Sequence, residues 1–512
     1  MICTLMRRLT AGAALISLAA CTVGPDYQKP PAPVPGVYKE VDGWKPATPK
    51  VAASGQPWWS IYDDPVLDGL ERQIDISNQT VKGDEAAYRE AQAIVAEARA
   101  GYFPTFDLTG SATRSGGGPG SSSGSTRGSS SFSSRGGGGG FASNSFSTTA
   151  EASWSPDIWG SIRRTVESNV ANAQVTAADL AAARLSAQAS LAADYFQLRV
   201  EDELAALLQS EVDAFQRSYV ITQNKYNAGT SAKTDVMTAQ AQLENTRSQM
   251  IAVGVPRAEF EHAIAVLIGK PPAAFALAQG KLPREIPVTP PDLPSVLLER
   301  NPTVAASERS MAVANAKIGV AIAGYFPNVA LGASYGQESS FLNKLFSSAS
   351  SLWSFGLTDV TLPIFNGGLT AAEVRAARAI YDQTVAEYRQ SVLTAFQQIE
   401  DELAASRILE QQAAVQDRAV AAAQEAEQLA LNQYRAGTID YTTVVTAQAT
   451  ALSDEETAVN LRQTRFVASV NLIEALGGGW SANALPTADQ VETESPPAPA
   501  VVAAATPSTP AK

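Results

Sequence analysis

Ala100-Gly101-Tyr102-Phe103-Pro104 occurs a second time as Ala323-Gly324-Tyr325-Phe326-Pro327, and the rest of the chain can be laid out from this pair. Counting outward, Asn78 matches Asn301 and Val81 matches Val304 at the same offset of 223. Downstream a second register holds. Ala228-Gly229-Thr230 recurs as Ala436-Gly437-Thr438 and Thr238-Ala239-Gln240-Ala241 as Thr446-Ala447-Gln448-Ala449, an offset of 208 that still links Gly269 to Gly477. The chain is an internal duplication, an arrangement that closes a ring or symmetric bundle more often than it builds one catalytic pocket. The registers differ by 15 residues (223 − 208), and the Gly/Ser-rich run 113–145 of the first copy accounts for most of the excess.

No proline or glycine interrupts Ser161 to Asn227 or Leu369 to Ala436. As helix, stretches of this length reach roughly 100 Å at about 1.5 Å per residue, which points to coiled-coil-like packing. Val374, Arg378, Tyr381, Val385, Tyr388, Val392, Ala395 and Ile399 fall at alternating steps of four and three. Val166, Val170, Ala173, Ala177, Leu180, Ala187 and Leu191 make a similar seam, broken by Arg184. Alanine is abundant on the other faces and lets helices lie close together.

The segments before these helices read as strands. Phe106-Asp107-Leu108-Thr109 alternates apolar and polar, and Ser145 to Trp154, Val329 to Tyr335 and Trp353 to Leu362 behave alike. Alternation suits a sheet with one apolar and one polar face. One hairpin per copy gives four strands, and a membrane barrel needs at least about eight, so copies must pool strands, about twelve from a trimer. The fold class expected is α+β, mostly α. The first inter-strand turn, 113–145, reads as a solvated Gly/Ser loop; the second, Gln337 to Ser351, carries Phe341, Leu345 and Phe346.

Arg7 and Arg8 precede an apolar stretch, Leu9 to Ala20, ending in Leu18-Ala19-Ala20-Cys21. A short basic region and a short apolar region make a secretory signal, too short to span a bilayer. Leu-Ala-Ala-Cys resembles the lipobox of bacterial lipoproteins, which implies that Cys21 becomes the acylated first residue, with Thr22 after it favouring the outer membrane. Acyl chains contribute about 0.8 kcal/mol per buried CH₂ and anchor stably when several are present. The only other cysteine, Cys3, leaves with the signal, so no intramolecular disulfide is expected. The chain carries −13, and losing Arg7 and Arg8 takes it to −15. Such an acidic chain without a basic stripe is a poor nucleic-acid binder. No stretch after Cys21 is long and apolar enough for a membrane helix.

Catalytic constellations are missing from the sequence. His262, beside Glu261, is the single histidine, and the one Gly-x-Ser-x-Gly match, 120–124, sits inside the Gly/Ser run without a strand–turn–helix context. No phosphate loop and no metal-ligand spacing occur, so neither an enzyme nor a cofactor is expected.

In order, the lipobox, Cys21-Thr22-Val23-Gly24-Pro25-Asp26-Tyr27, Trp58-Trp59 before 63–70, two Ala-Gly-Tyr-Phe-Pro blocks and two Tyr-x-Ala-Gly-Thr blocks resemble the TolC-like outer membrane factors, in their lipoprotein (NodT) branch. The resemblance spans roughly 18–480. It implies a homotrimeric duct, with a twelve-stranded β-barrel in the outer membrane continuing into a long periplasmic α-helical barrel. It also implies passive export of drugs or other small molecules, in company with a periplasmic adaptor and an inner-membrane pump. The organisation expected is a signal at 1–20, a lipid-anchored connector at 21–55, repeats at 56–280 and 297–485 joined by a linker at 281–296, and a disordered tail at 486–512.

Tyr226, Gly229 and Thr230, and Tyr434, Gly437 and Thr438, mark turns where one long helix stops and another starts. A glycine can take the left-handed conformation there and the threonine can cap the next helix. The resemblance puts these turns at the adaptor-docking periplasmic tip, with Asp235 and Asp440 as acidic candidates near the pore mouth and Thr442, Val445 and Thr446 as the gate-facing set. The chain departs from the family pattern at Thr446, where relatives often carry Asp. Asp202 to Tyr226 spans 24 positions and Asp401 to Tyr434 spans 33, an excess of nine that would suit a belt around the duct. The rival reading is a trimeric lipid-anchored structural or adhesive coiled coil, which would not need two strand hairpins.

Overall fold

The computed structural model describes residues 22–35, 38–41, 57–116, 142–283, 285–287 and 299–493. The signal peptide, Cys21 and the centre of the Gly/Ser run lie outside these residues. The first copy runs α1 (Pro65–Ser77), α2 (Gln79–Ala100), β1 (Thr105–Gly116), β2 (Ala142–Trp154), α3 (Ser161–Asn227), α4 (Lys233–Ala252) and α5 (Gly254–Leu267). The second runs α6 (Pro302–Ala323), β3 (Asn328–Ser339), β4 (Ser351–Thr361), α7 (Leu369–Ala436) and α8 (Tyr441–Ala475), and α9 (Ala488–Thr493) follows.

The repeated residues sit where each copy closes on itself. Asn78 Oδ1 accepts from the Val81 amide at 3.0 Å, and Asn301 Oδ1 from Thr303 and Val304 at 3.0 and 3.1 Å, so the matched asparagines cap α2 and α6. Their Nδ2 atoms donate to the far end of the same copy, Asn78 to Leu267 O at 2.8 Å and Asn301 to Ala475 O at 3.3 Å. Gly269 and Gly477 turn the chain there with φ of +69° and +89°. A Cβ would fall 2.2 Å from Ser77 O or 2.0 Å from Arg300 O, so both positions need glycine for space as well as conformation.

The long helices contain 67 and 68 residues and both follow a left-handed glycine, Gly160 and Gly368. Their starts differ by 208 and their ends by 209, so the fold matches Asp202 to Glu410, not to Asp401. The nine-residue excess read as a belt is therefore a misregistration, and among the described residues the second copy holds no such insertion. The register jump lies between the strands: 25 residues separate β1 from β2 (117–141) and 11 separate β3 from β4 (340–350).

The sheet is an antiparallel meander, β1-β2-β3-β4. Its pairing puts Phe106 and Leu108 on one face with Ala150, Ala152, Leu331, Tyr335, Trp353, Phe355 and Leu357, and Asp107, Thr109, Ser147, Glu151 and Ser334 on the other. A bulge changes register between Ala330 and Leu331, pairing Ala330 with Asp359 but Leu331 with Leu357. The extra residue, Thr358, resets the alternation. Asp359 thereby joins the polar face and Val360 the apolar one, whereas unbroken alternation would have put Asp359 among the apolar side chains.

Near the sheet, α3 packs between α2 and α6, and α6 between α3 and α7. Farther away α8 takes the place of α6 between α3 and α7, while α4 and α5 flank α3 on its other side. Tyr62, Phe196 and Phe466 tie these layers together, with ring centroids 4.8 Å apart for the first pair and 4.7 Å for the second. Trp58 donates to Gln188 Oε1 at 3.3 Å and Trp59 to Asp68 Oδ1 at 3.1 Å. Removing a buried ring such as Phe196 would cost about 3–5 kcal/mol.

One buried ionic cluster holds the stretch after α5 on α3. Asp202 accepts from Arg199 Nη1 at 3.0 Å, Arg257 Nε at 2.7 Å and the Gly280 amide at 3.0 Å. The two guanidiniums also donate to Ala278 O and Leu277 O, both at 2.8 Å. The tail expected to be disordered from 486 is folded as far as Thr493. Val491 of α9 is fully buried, Gln174 Nε2 donates to Pro486 O at 2.9 Å, and Arg99 Nη1 donates to Glu492 O at 2.6 Å. One buried apolar residue in a six-residue helix carries no periodicity, which is why composition alone suggested disorder.

Candidate functional site

The α3–α4 and α7–α8 turns meet at the end of the molecule farthest from the sheet. Each long helix closes with a bond back across six residues: the Thr230 amide donates to Lys225 O at 2.9 Å and the Thr438 amide to Gln433 O at 3.0 Å. Gly229 and Gly437 supply the left-handed residues, φ +74° and +79°. The threonine hydroxyls do not cap the following helices. Thr230 Oγ1 and Thr438 Oγ1 donate to the same carbonyls, Lys225 O and Gln433 O, both at 3.0 Å, so they finish the preceding helix. The next helices start from Ala232 and Asp440 without a side-chain cap.

The two turns are not equivalent. Tyr226 is 40% exposed, whereas its counterpart Tyr434 is 6% exposed and packs on Tyr441 with centroids 5.2 Å apart. Lys225 bridges the copies: its Nζ donates to Tyr434 O at 2.5 Å and lies 3.9 Å from the Tyr434 ring centroid. Burial pushes the Tyr441 hydroxyl up to about 12. Sequence reading missed Lys225 and Tyr441; the visible clue was the mismatch of Lys225 with Gln433, one of two, with Asn227 against Arg435, inside blocks that otherwise match from Asn224 to Thr230.

Asp235 is half-buried and accepts from Ser231 Oγ at 2.6 Å; Asp440 is exposed. Thr442 and Thr446 lie one turn apart on an open face of α8, Thr446 Oγ1 donating to Thr442 O at 3.0 Å. Val445 departs from this set. It packs, half-buried, against the cluster of Ala239, Ala430, Tyr434, Tyr441 and Val444, which α4, α7 and α8 supply. Farther from the turns Gln448, 1% exposed, reaches Ser218 Oγ at 3.5 Å and Glu427 Oε1 at 3.4 Å. Burial, with the Glu427 and Glu455 charges, pushes Glu211 up to about 7.

At the sheet end, the segment after Cys21 is clamped. Arg164, 5% exposed along its side chain, pairs with Asp26 at 2.8 Å and Glu167 at 2.7 Å and donates to Val23 O and Gly24 O, both at 3.2 Å. Asn315 Nδ2 donates to Pro25 O at 2.9 Å, and Thr22 lies against Gly160, just below the end of β2. Trp154 Nε1 donates to Tyr102 O at 2.9 Å and Trp159 Nε1 to Pro327 O at 2.8 Å, so indoles and the two Tyr-Phe-Pro turns ring the same level. Cys21 itself lies outside the described residues. No cluster of His, Cys, Asp or Glu arranged to hold a metal occurs among the described residues.

Residues 72–270 and 293–478 match the family model of outer membrane efflux proteins. The chain belongs to that family. It is an efflux protein of the outer membrane, with a TolC/NodT-type architecture. A probable efflux pump outer membrane protein, TtgC of Pseudomonas putida, is 28% identical over 94% of this chain and 97% of its own length. The probable outer membrane lipoprotein SilC of Salmonella typhimurium is 25% identical over 92% of this chain and 99% of its own. The solved outer-membrane channel OprN superposes with a TM-score of 0.79 at 28% identity, covering 90% of this chain and all of that one.

Proposed function

We propose that three copies of this chain form the exit duct of a tripartite efflux system, a lipid-anchored channel that conducts small molecules passively from a periplasmic adaptor and inner-membrane pump to the outside. The observation that carries this is the sheet. Four strands with one apolar and one polar face continue directly into helices roughly 100 Å long. Alone such a sheet leaves β1 and β4 each paired on one side only, and lipid tolerates no open edge; three sheets closed into a twelve-stranded barrel (3 × 4) satisfy every edge. No helix among the described residues is long and apolar enough to cross a membrane.

Cys21 would carry the acyl chains: the clamp at Arg164 holds Thr22 at the level of the indoles, where a membrane surface would lie. At the other end, Tyr226, Gly229, Thr230, Asp235, Tyr434, Gly437, Thr438 and Asp440 form the docking tip for the adaptor. Thr442 and Thr446 line the gate, and Val445 supports it from behind. The duct itself makes and breaks no bonds, and it binds no nucleic acid.

The test is mass measurement and electron microscopy of the detergent-extracted protein, followed by single-channel recording. A hollow trimer about 100 Å long below its barrel is expected; a monomer or a solid rod overturns the duct and brings forward the adhesive coiled coil.

A further inference from the structure

At the height where α8 gives way to α6, a recess of about 700 Å³ opens between α3, α6, α7 and α8. Its polar lining includes Ser186, Gln390, Gln398, Asn471, Glu402 and Glu474, and no lysine or arginine is among the described residues that line it.

The side of the wall on which it opens can be read from α7. The N-terminal segment lies along Tyr388, Phe396, Glu400 and Arg407. Lys29 Nζ is 5.9 Å from the Tyr388 ring centroid, Tyr38 is 6.2 Å from Phe396, the Lys39 and Glu40 amides donate to Glu400 at 2.7 and 3.0 Å, and Arg407 pairs with Glu40. The recess uses Gln390, Ser391, Thr394, Gln398 and Glu402. At about 100° per residue the two sets point roughly 170° apart. A segment descending from a lipid anchor runs outside a closed duct, so the recess opens on the inner wall. This step rests on the duct reading given above.

We propose that this recess is a binding station in the duct wall for cationic solutes that also donate hydrogen bonds. A volume near 700 Å³ is that of a site for a drug-sized molecule. Carboxylates and amide and hydroxyl oxygens supply acceptors without a competing fixed cation. Asn471 Nδ2 donates to Glu402 Oε1 at 3.2 Å, which orients that carboxylate and leaves its other oxygen for a ligand. Burial, helped by Asp401, holds Glu402 above the usual carboxylate range, and burial does the same to Glu474 against a hydrogen bond from Ser186. Both are carboxyls short of a counter-charge, and a bound cation supplies it. A neutral or anionic solute of the same size gains nothing from them.

The test uses the purified full-length protein in detergent, titrated with ethidium as the cationic probe and N-phenylnaphthylamine as the neutral one, both read by fluorescence. The expected result is saturable ethidium binding, weakened at least about tenfold (about 1.4 kcal/mol) in the E402Q/E474Q double variant. A charge-matched control on the other side of α7, E410Q/D417N, should bind within about twofold of the unaltered protein. Thr394→Lys, which brings an ammonium into the recess, should cause the same loss even if the double variant fails to fold. Equal ethidium affinity in all variants, equal response of the neutral dye, or no saturable binding overturns the proposal. The same preparations are recorded in planar bilayers. Conductance without variant-sensitive binding removes the station alone, whereas absence of conductance removes the duct.

Discussion

Gly477→Ala should destabilise this protein far more than Gly437→Ala, although both replace a left-handed glycine. At Gly437 (φ +79°) nothing lies within 4 Å of the position a Cβ would take. That substitution pays only the conformational penalty, about 1–2 kcal/mol. At Gly477 (φ +89°) the same Cβ would sit 2.0 Å from Arg300 O and 2.8 Å from its carbon. The contact must open by more than about 1 Å, and both sides of it are backbone. Forced overpacking adds about 1–3 kcal/mol, for a total of about 2–5 kcal/mol. Opening also pulls α8 away from the capping Asn301, whose Nδ2 reaches Ala475 O only two residues earlier. Gly269→Ala should behave like Gly477→Ala, since its Cβ would lie 2.2 Å from Ser77 O. Helical ellipticity followed on heating in detergent, at one fixed scan rate, reads the difference. At about 2 °C per kcal/mol, Gly477→Ala should lower Tm by about 4–10 °C and Gly437→Ala by about 2–4 °C. Equal shifts would refute the argument that close backbone approach, rather than φ, makes glycine necessary at the junction.

Lys225→Met removes the ammonium that joins the two tip turns at Tyr434, so the open fraction in single-channel recordings should rise several-fold; an unchanged fraction removes Lys225 from gating. Cys21→Ser should abolish incorporation of labelled palmitate while leaving the helical spectrum intact. Asp202→Ala strands Arg199 and Arg257 without their shared carboxylate and should cost about 3–5 kcal/mol in thermal melts; a cost below about 1 kcal/mol would mean that water replaces the carboxylate. Glu71 has both carboxyl oxygens buried with no partner, and burial, with the nearby Asp75 charge, pushes it up to about 9. The folded chain keeps that proton where the unfolded chain releases it. Stability from this group is full below the ordinary carboxylate range and declines as pH rises toward about 9. Glu71→Gln should therefore raise Tm at pH near 8 and leave it unchanged near pH 4; the same gain at both values would contradict the assignment.

Much of the candidate site was legible because it is built from local rules. The Tyr-x-Ala-Gly-Thr blocks marked both tip turns, since a left-handed glycine is a requirement of the backbone itself. The function of the neighbouring threonine was misread for the same reason: a hydroxyl at a helix boundary can serve the helix before it or the one after, and only the carbonyl it reaches decides. Val445 departs from its set because three residues on one helix do not say which face meets another helix. Asp401 was matched to Asp202 by residue type, and helix ends show the true counterpart to be Glu410. The bridge from Lys225 to Tyr434 joins residues 209 positions apart, beyond the reach of any local pattern.

From the chain order alone came the duplication, the two uninterrupted helices and the strand hairpins. Each depends on repetition, on the spacing of apolar residues or on the presence of proline and glycine, which act over a few neighbouring residues. Tertiary structure alone decided which copy's tyrosine is buried at the tip, that α6 and α8 share one groove, that a bulge at Thr358 keeps Asp359 off the apolar face, and that a six-residue tail helix folds. These depend on which surfaces meet across hundreds of residues, and burial is a property of the meeting rather than of either surface alone.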